Sequence, residues 1–171
     1  FASEHFGVTP DIVTLAKGIA SGMPLSATIA RAEIMNWPPG AHASTFGGNP
    51  VSIAAALTTI ELLKESVLEN SRVMGEYMMA RMQRWPQVFK NVGDVRGRGL
   101  MIGFELVYDK ETKERAPELR NQLELMAFER GLLILGCGQN SIRLCPPLII
   151  NQDQADFALD TLEDCLRQLR P

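Results

Sequence analysis

The stretch Pro50-Val51-Ser52-Ile53-Ala54-Ala55-Ala56-Leu57-Thr58-Thr59-Ile60 carries no charge, and the first ionisable side chain after it is Glu61. Alanine and leucine favour helix, and Pro50 suits a first helical turn, where no amide donor is needed. A helix with so little polar surface has no side made for water, so it is expected to be buried. Other elements must therefore pack around it. A second, amphipathic helix is expected over residues 67–85, carrying Val73, Tyr77, Ala80 and Met82 among interspersed charges and stopping at Pro86. A domain boundary within these helices divides the chain into residues 1–65 and 66–171.

Upstream, Gly7 and Pro10 mark a turn, and Ile12 to Ala16 reads as a buried strand that ends in Lys17. Gly18 and Gly22 follow and tolerate positive φ, so the chain is free to turn there. A lysine is costly to bury and is normally kept in water. One held at the mouth of a sheet is a candidate for imine chemistry, in which a neutral primary amine attacks a carbonyl. A lysine that merely ends a strand in solvent fits the same spacing. Leu25 to Ala30 reads as a second short strand, Ala32 to Met35 as one helical turn, and Ala41 to Asn49 as irregular chain.

Downstream the pattern alternates. Strands are expected over Val92–Arg96 and Leu100–Val107 with a bend at Gly97-Arg98-Gly99, followed by a charged surface loop from Tyr108 to Ala116. Leu119, Leu123, Met126 and Ala127 lie at helical spacing, with Gly131 as the stop. Two further strands, Leu132–Leu135 and Ile142–Leu144, flank a turn at Gly136–Asn140. A last helix runs from about Gln152 to Leu169, with Ala155, Ala158, Leu159, Leu162, Leu166 and Leu169 on one face. Strands mixed with covering helices make a compact α+β unit.

Bulk properties exclude several classes of function. A formal charge of −3 spread over 171 residues gives no basis for binding nucleic acid or an acidic membrane. No apolar run approaches the roughly 18 residues a spanning helix needs, and residues 1–10 do not read as a signal peptide. Three cysteines, Cys137, Cys145 and Cys165, favour free thiols in a reducing, cytoplasmic compartment. With two histidines and no ligand spacing, a metal site is not expected. The chain opens at Phe1 without an initiator methionine, as part of a longer polypeptide would.

Leu15-Ala16-Lys17-Gly18, Ser44-Thr45-Phe46-Gly47-Gly48-Asn49-Pro50 and Ile142-Arg143-Leu144-Cys145-Pro146-Pro147-Leu148 stand in order along the chain. Phe6-Gly7-Val8-Thr9-Pro10-Asp11 precedes them, and Val95-Arg96-Gly97-Arg98-Gly99-Leu100-Met101 lies between. Together these motifs resemble the class III aminotransferases, pyridoxal-phosphate enzymes of the aspartate aminotransferase superfamily. The resemblance covers essentially all 171 residues. It implies an α/β fold class: the C-terminal part of a pyridoxal-phosphate-dependent transferase fold, with the tail of the large cofactor domain over 1–65 and a small α+β C-terminal domain over 66–171.

It also implies site residues. Lys17 would form the Schiff base with pyridoxal 5'-phosphate and later move a proton as general acid–base, which requires a neutral amine for part of the cycle. Thr45, with Ser44 beside it, would hold the phosphate of the neighbouring subunit's cofactor in a homodimer with shared active sites. Ser44, Thr45 and Asn49 would equally serve as caps for the helix at Pro50. Arg143 would bind the substrate α-carboxylate, a task suited to a planar guanidinium. An ion pair with an acid such as Glu105 is its alternative role. Arg96 and Arg98 read as salt-bridge residues at the bend, and His5 and His42 as surface or packing residues.

The implied reaction is amino-group transfer between an amino acid and a 2-oxo acid. The turn Leu135–Asn140 ahead of Arg143 is similar to that of 4-aminobutyrate aminotransferases, more so than to the acetylornithine or ornithine members. A racemase or epimerase of the same family shares the lysine and the cofactor and stays open as an alternative. So does a non-catalytic truncated fragment, whose apolar helix over residues 51–63 would be partly uncovered. The family's acidic partner for the pyridinium nitrogen, its Gly-rich phosphate loop and its stacking aromatic have no match in residues 1–13. The chain by itself is therefore expected to lack transaminase turnover.

Overall fold

The computed structural model describes residues 1–170, which form two compact units, residues 1–65 and 66–170. In the first, a 3-10 turn at Ala2–Phe6 leads into strand β1 (Ile12–Leu15), which pairs antiparallel with β2 (Ala27–Ala30). The register runs from Ile12 opposite Ala30 to Leu15 opposite Ala27. An ion pair of 2.8 Å between Arg31 and Asp11 continues the pairing beyond the strands. The expected buried strand is only half covered within this chain, because the ribbon has two strands and Ile12 remains exposed.

Helix α1 spans Pro50–Leu62, started by Asn49, whose side-chain oxygen accepts from the amides of Val51 and Ser52. Here the sequence expectation is overturned. Only Ser52 and Ala56 of this helix are buried, while Val51 and Leu57 are 61% and 58% exposed. The physical reason lies in which face meets a neighbour. Ser52, Ala55, Ala56 and Thr59 recur at helical spacing and form the small-residue side, packed against a 3-10 turn at Lys17–Ala20. The bulky apolar side chains point elsewhere. These residues supply cover on one face only.

A π-helical turn, Leu63–Val67, leads into α2 (Leu68–Met82) and then the short α3 (Trp85–Val88). Pro86 therefore lies inside the first turn of α3, where its missing N–H costs nothing, and does not end a single long helix. The second unit is built on an antiparallel sheet in the order β3 (Val92–Arg98), β4 (Met101–Asp109), β7 (Ser141–Leu144), β6 (Leu135–Cys137). Strand β5 (Glu114–Arg115) pairs with β4 inside the segment expected to be loop. Strand β6 begins three residues later than expected, taking Gly136 and Cys137 out of the turn.

Alternation along β4 sends Ile102, Phe104 and Leu106 into a core closed by α2, α3, α4 (Pro117–Glu129) and α5 (Gln152–Gln168). Trp85 is its centre, packed edge-on against Phe104 with ring centroids 5.2 Å apart. Its buried indole N–H donates to Glu163 on α5 at 3.0 Å. Arg81 on α2 donates to the same carboxylate at 2.7 Å and to Asp160 at 2.5 Å, so one arginine ties α2 to α5. The hydrogen bond from Arg81, helped by that from Trp85, holds the Glu163 carboxyl below the usual carboxylate range against the opposing effect of burial.

Two predictions follow from this packing. A Cβ at Gly75 on α2 would lie 2.4 Å from the backbone carbonyl atoms of Gly99 in the β3–β4 turn. Gly75→Ala should therefore destabilise the chain by roughly 1–3 kcal/mol, read as a lower urea midpoint; an unchanged midpoint would contradict the close approach. The Glu163 contribution is fully present above the unfolded carboxyl pKa of about 4.3 and disappears as pH falls through the lower folded value. Glu163→Gln should lose stability at pH 7, and its deficit relative to the parent should shrink on acidification below about pH 4. A constant deficit would contradict the assignment.

Candidate functional site

Lys17 opens the 3-10 turn Lys17–Ala20 directly after β1, with a backbone φ of 59°. Sequence reasoning placed the positive φ at Gly18 and Gly22. Gly22 does adopt it, at 102°, but Lys17 itself takes the left-handed conformation, and Gly18 does not. A β-carbon in that region costs an L-residue about 1–2 kcal/mol, so the surrounding structure must hold it there. Ala20, fully buried, anchors the other end of the turn. The Lys17 side chain is exposed, and no acceptor among the described residues engages its amine.

Ser44 and Thr45 lie in the irregular segment before α1, both exposed. Neither caps the helix. Asn49 does so alone, and its backbone carbonyl accepts from Ile53 as well. The first-turn amides of α1 are therefore committed. What is uncommitted is the loop itself. Among the described residues, no acceptor engages the hydroxyls of Ser44 and Thr45 or the amides of Thr45, Phe46 and Gly48. Ser52, in the first turn, has a fully buried hydroxyl with no partner among the described residues.

Arg143 belongs to the second unit. On β7 its neighbours Ile142 and Leu144 point into the core, so its own side chain emerges on the open face of the sheet. Across the ladders it faces Gly103 on β4 and Leu135 on β6, and the bare glycine leaves room beside it. The ion pair with Glu105 is not formed: Glu105 is held by Arg96 at 2.6 Å, and Arg96 also grips Asp94 at 2.6 Å. The bend arginine Arg96 is thus a salt-bridge residue, and Arg143 has no acidic partner among the described residues. It is the one charged side chain lining a cavity of about 420 Å³ among apolar residues that include Leu132, Ile134, Pro146 and Ile150. A free guanidinium beside an apolar hollow is suited to a carboxylate with an aliphatic body.

The sequence profile of the aminotransferase class-III family matches residues 1–166. The chain belongs to that family. A leucine/methionine racemase of Thermococcus litoralis is 46% identical over 165 residues, covering 95% of this chain and 37% of the racemase. A 4-aminobutyrate aminotransferase of Mycobacterium leprae is 43% identical over 173 residues, covering 97% of this chain and 38% of its own. The crystal structure of a Bacillus anthracis aminotransferase superposes with a TM-score of 0.91 at 34% identity, covering 99% of this chain and 41% of that one. The chain thus has the mixed α/β fold of part of a pyridoxal-phosphate-dependent aminotransferase, and it spans less than half the length of these relatives.

Class III aminotransferases use pyridoxal 5'-phosphate, and the residues present fit that group. An unpaired primary amine in a constrained turn suits its aldehyde, and uncommitted hydroxyl and amide donors before α1 suit its phosphate. Among the described residues, no cluster of side chains is arranged to hold a metal, and no helix is long and apolar enough to cross a membrane. Sequence reasoning missed the partners of the lysine turn on α1. Nothing in the spacing of Ser21 and Thr59 announces a contact across 38 residues.

Proposed function

We propose that this chain is the C-terminal part of a homodimeric class III aminotransferase that moves an amino group from an amino acid to a 2-oxo acid, with 4-aminobutyrate as a candidate donor. The observation that carries the reading is the unpaired amine of Lys17 on a left-handed backbone. Strain of this kind persists where a side chain must be presented in one direction. Bound pyridoxal phosphate supplies the electron sink that stabilises negative charge at the substrate Cα. Lys17 Nζ binds the cofactor aldehyde and moves the proton at Cα. Thr45, with Ser44, donates to the phosphate held by the partner subunit, and Arg143 orients the substrate by its α-carboxylate.

Proton movement at Cα is common to transfer and to racemisation. The identity to the Thermococcus litoralis racemase supports a second reading, an amino-acid racemase built on the same lysine. The full-length polypeptide carrying these residues, incubated with a single L-amino acid and no 2-oxo acid, separates the two. A transaminase releases 2-oxo acid up to the number of its sites and forms no D-isomer. A racemase accumulates the D-isomer catalytically.

Borohydride reduction after adding pyridoxal phosphate, followed by peptide mass spectrometry, tests the lysine directly. Among the five lysines of this chain, Lys17 should carry the label and Lys17→Arg should abolish it. Label spread evenly over Lys17, Lys64, Lys90, Lys110 and Lys113 would contradict both readings.

A further inference from the structure

Three residues of the turn after β1 have positive φ: Lys17 at 59°, Ser21 at 48° and Gly22 at 102°. Glycine takes such a conformation at little cost, whereas serine does not. A serine is retained at this position with its hydroxyl bonded to the hydroxyl of Thr59 on α1, 2.8 Å away. Thr59 has one proton to give, and it donates that proton to the carbonyl of Ala55 at 2.8 Å. The direction of the chain is then fixed: Ser21 donates to Thr59, and Thr59 donates to Ala55. Among the described residues this is the one hydrogen bond between the lysine turn and α1.

Within the turn, the amide of Ser21 donates to Gly18 at 3.1 Å and that of Met23 to Ala20 at 3.1 Å. Movement of Ser21 is therefore passed back through its own amide to Gly18, the residue after Lys17. Ala20 fills the small-residue face of α1, but a buried methyl fixes depth and leaves rotation of the turn free. The hydroxyl bond supplies the direction that packing lacks.

We infer that Ser21 and Thr59 are positioning residues: their directed hydroxyl chain holds the strained turn on α1 and so aims the Lys17 amine at the cofactor aldehyde. The inference rests on the proposed role of Lys17. Neither residue touches the reacting atoms, and both act through the lysine.

The test uses the full-length polypeptide and measures borohydride-trapped label at Lys17 relative to the summed label at Lys64, Lys90, Lys110 and Lys113, across a pH series, with circular dichroism confirming the fold. Thr59→Val keeps the shape and removes both hydrogen bonds; it should lower the ratio about fivefold, the scale of one lost hydrogen bond. Thr59→Ser, which keeps a donor and an acceptor, should restore it to within about twofold. Ser21→Gly relieves the backbone strain yet removes the hydroxyl, so the ratio should fall without a lower melting temperature. A purely structural role would move the melting temperature and leave the ratio of the folded protein untouched. Folded Thr59→Val or Ser21→Gly protein with the parental ratio would overturn the inference while leaving the role of Lys17 intact. A parent that shows no preference for Lys17 would overturn both.

Discussion

With φ at 59°, Lys17 occupies a conformation that an L-residue adopts only under constraint, and the first unit is arranged to supply that constraint. Strand β1 delivers the chain to Lys17, the turn folds back at once, and Ala20 disappears against the small-residue side of α1. Larger side chains at positions 52, 55, 56 and 59 would push the turn away, which accounts for serine, alanine and threonine on that side of an otherwise bulky apolar helix. The composition of α1 thus serves two demands: close approach on one face, and apolar bulk on the others that this chain leaves uncovered.

The second unit rests on more ordinary physics. Trp85 is 2% exposed and is held by Phe104 in the sheet and by the Glu163 carboxylate on α5. Burying such a ring contributes about 1.5–3 kcal/mol, and pairing its N–H avoids the cost of an orphaned donor. The packed face of the sheet faces helices, so the opposite face is free to display Arg143 between a glycine and a leucine. Because Arg96 pairs with both Asp94 and Glu105, the Arg143 guanidinium has no acidic partner among the described residues.

Much of this was legible in the sequence, where periodicity and punctuation were strong. The amphipathic face of α5, the stop at Gly131, the start of α1 at Pro50 and the strands around Gly99 all follow from local chemistry. Register within short apolar segments did not. Leu132–Leu135 is apolar throughout and gives no alternation to place β6, and Trp85-Pro86 looked like a helix end because proline at the start of a new helix has the same local signature. The exposure of α1 could not be read either, since an apolar helix implies cover without saying which residues provide it. Motifs singled out Lys17, Ser44, Thr45 and Arg143 as candidates, but geometry was needed to see that the lysine carries the positive φ, that Asn49 alone caps α1, and that Ser21 reaches Thr59.

The central claim is that a strained, clamped backbone presents the amine of Lys17 to pyridoxal phosphate. A crystal structure of the full-length polypeptide grown with that cofactor measures this most directly. The account predicts continuous density from Lys17 Nζ to the cofactor, with φ at Lys17 still in the left-handed region and the Ser21–Thr59 hydrogen bond in place. Cofactor joined to another lysine, or a Lys17 backbone relaxed to negative φ once the cofactor is bound, would contradict it.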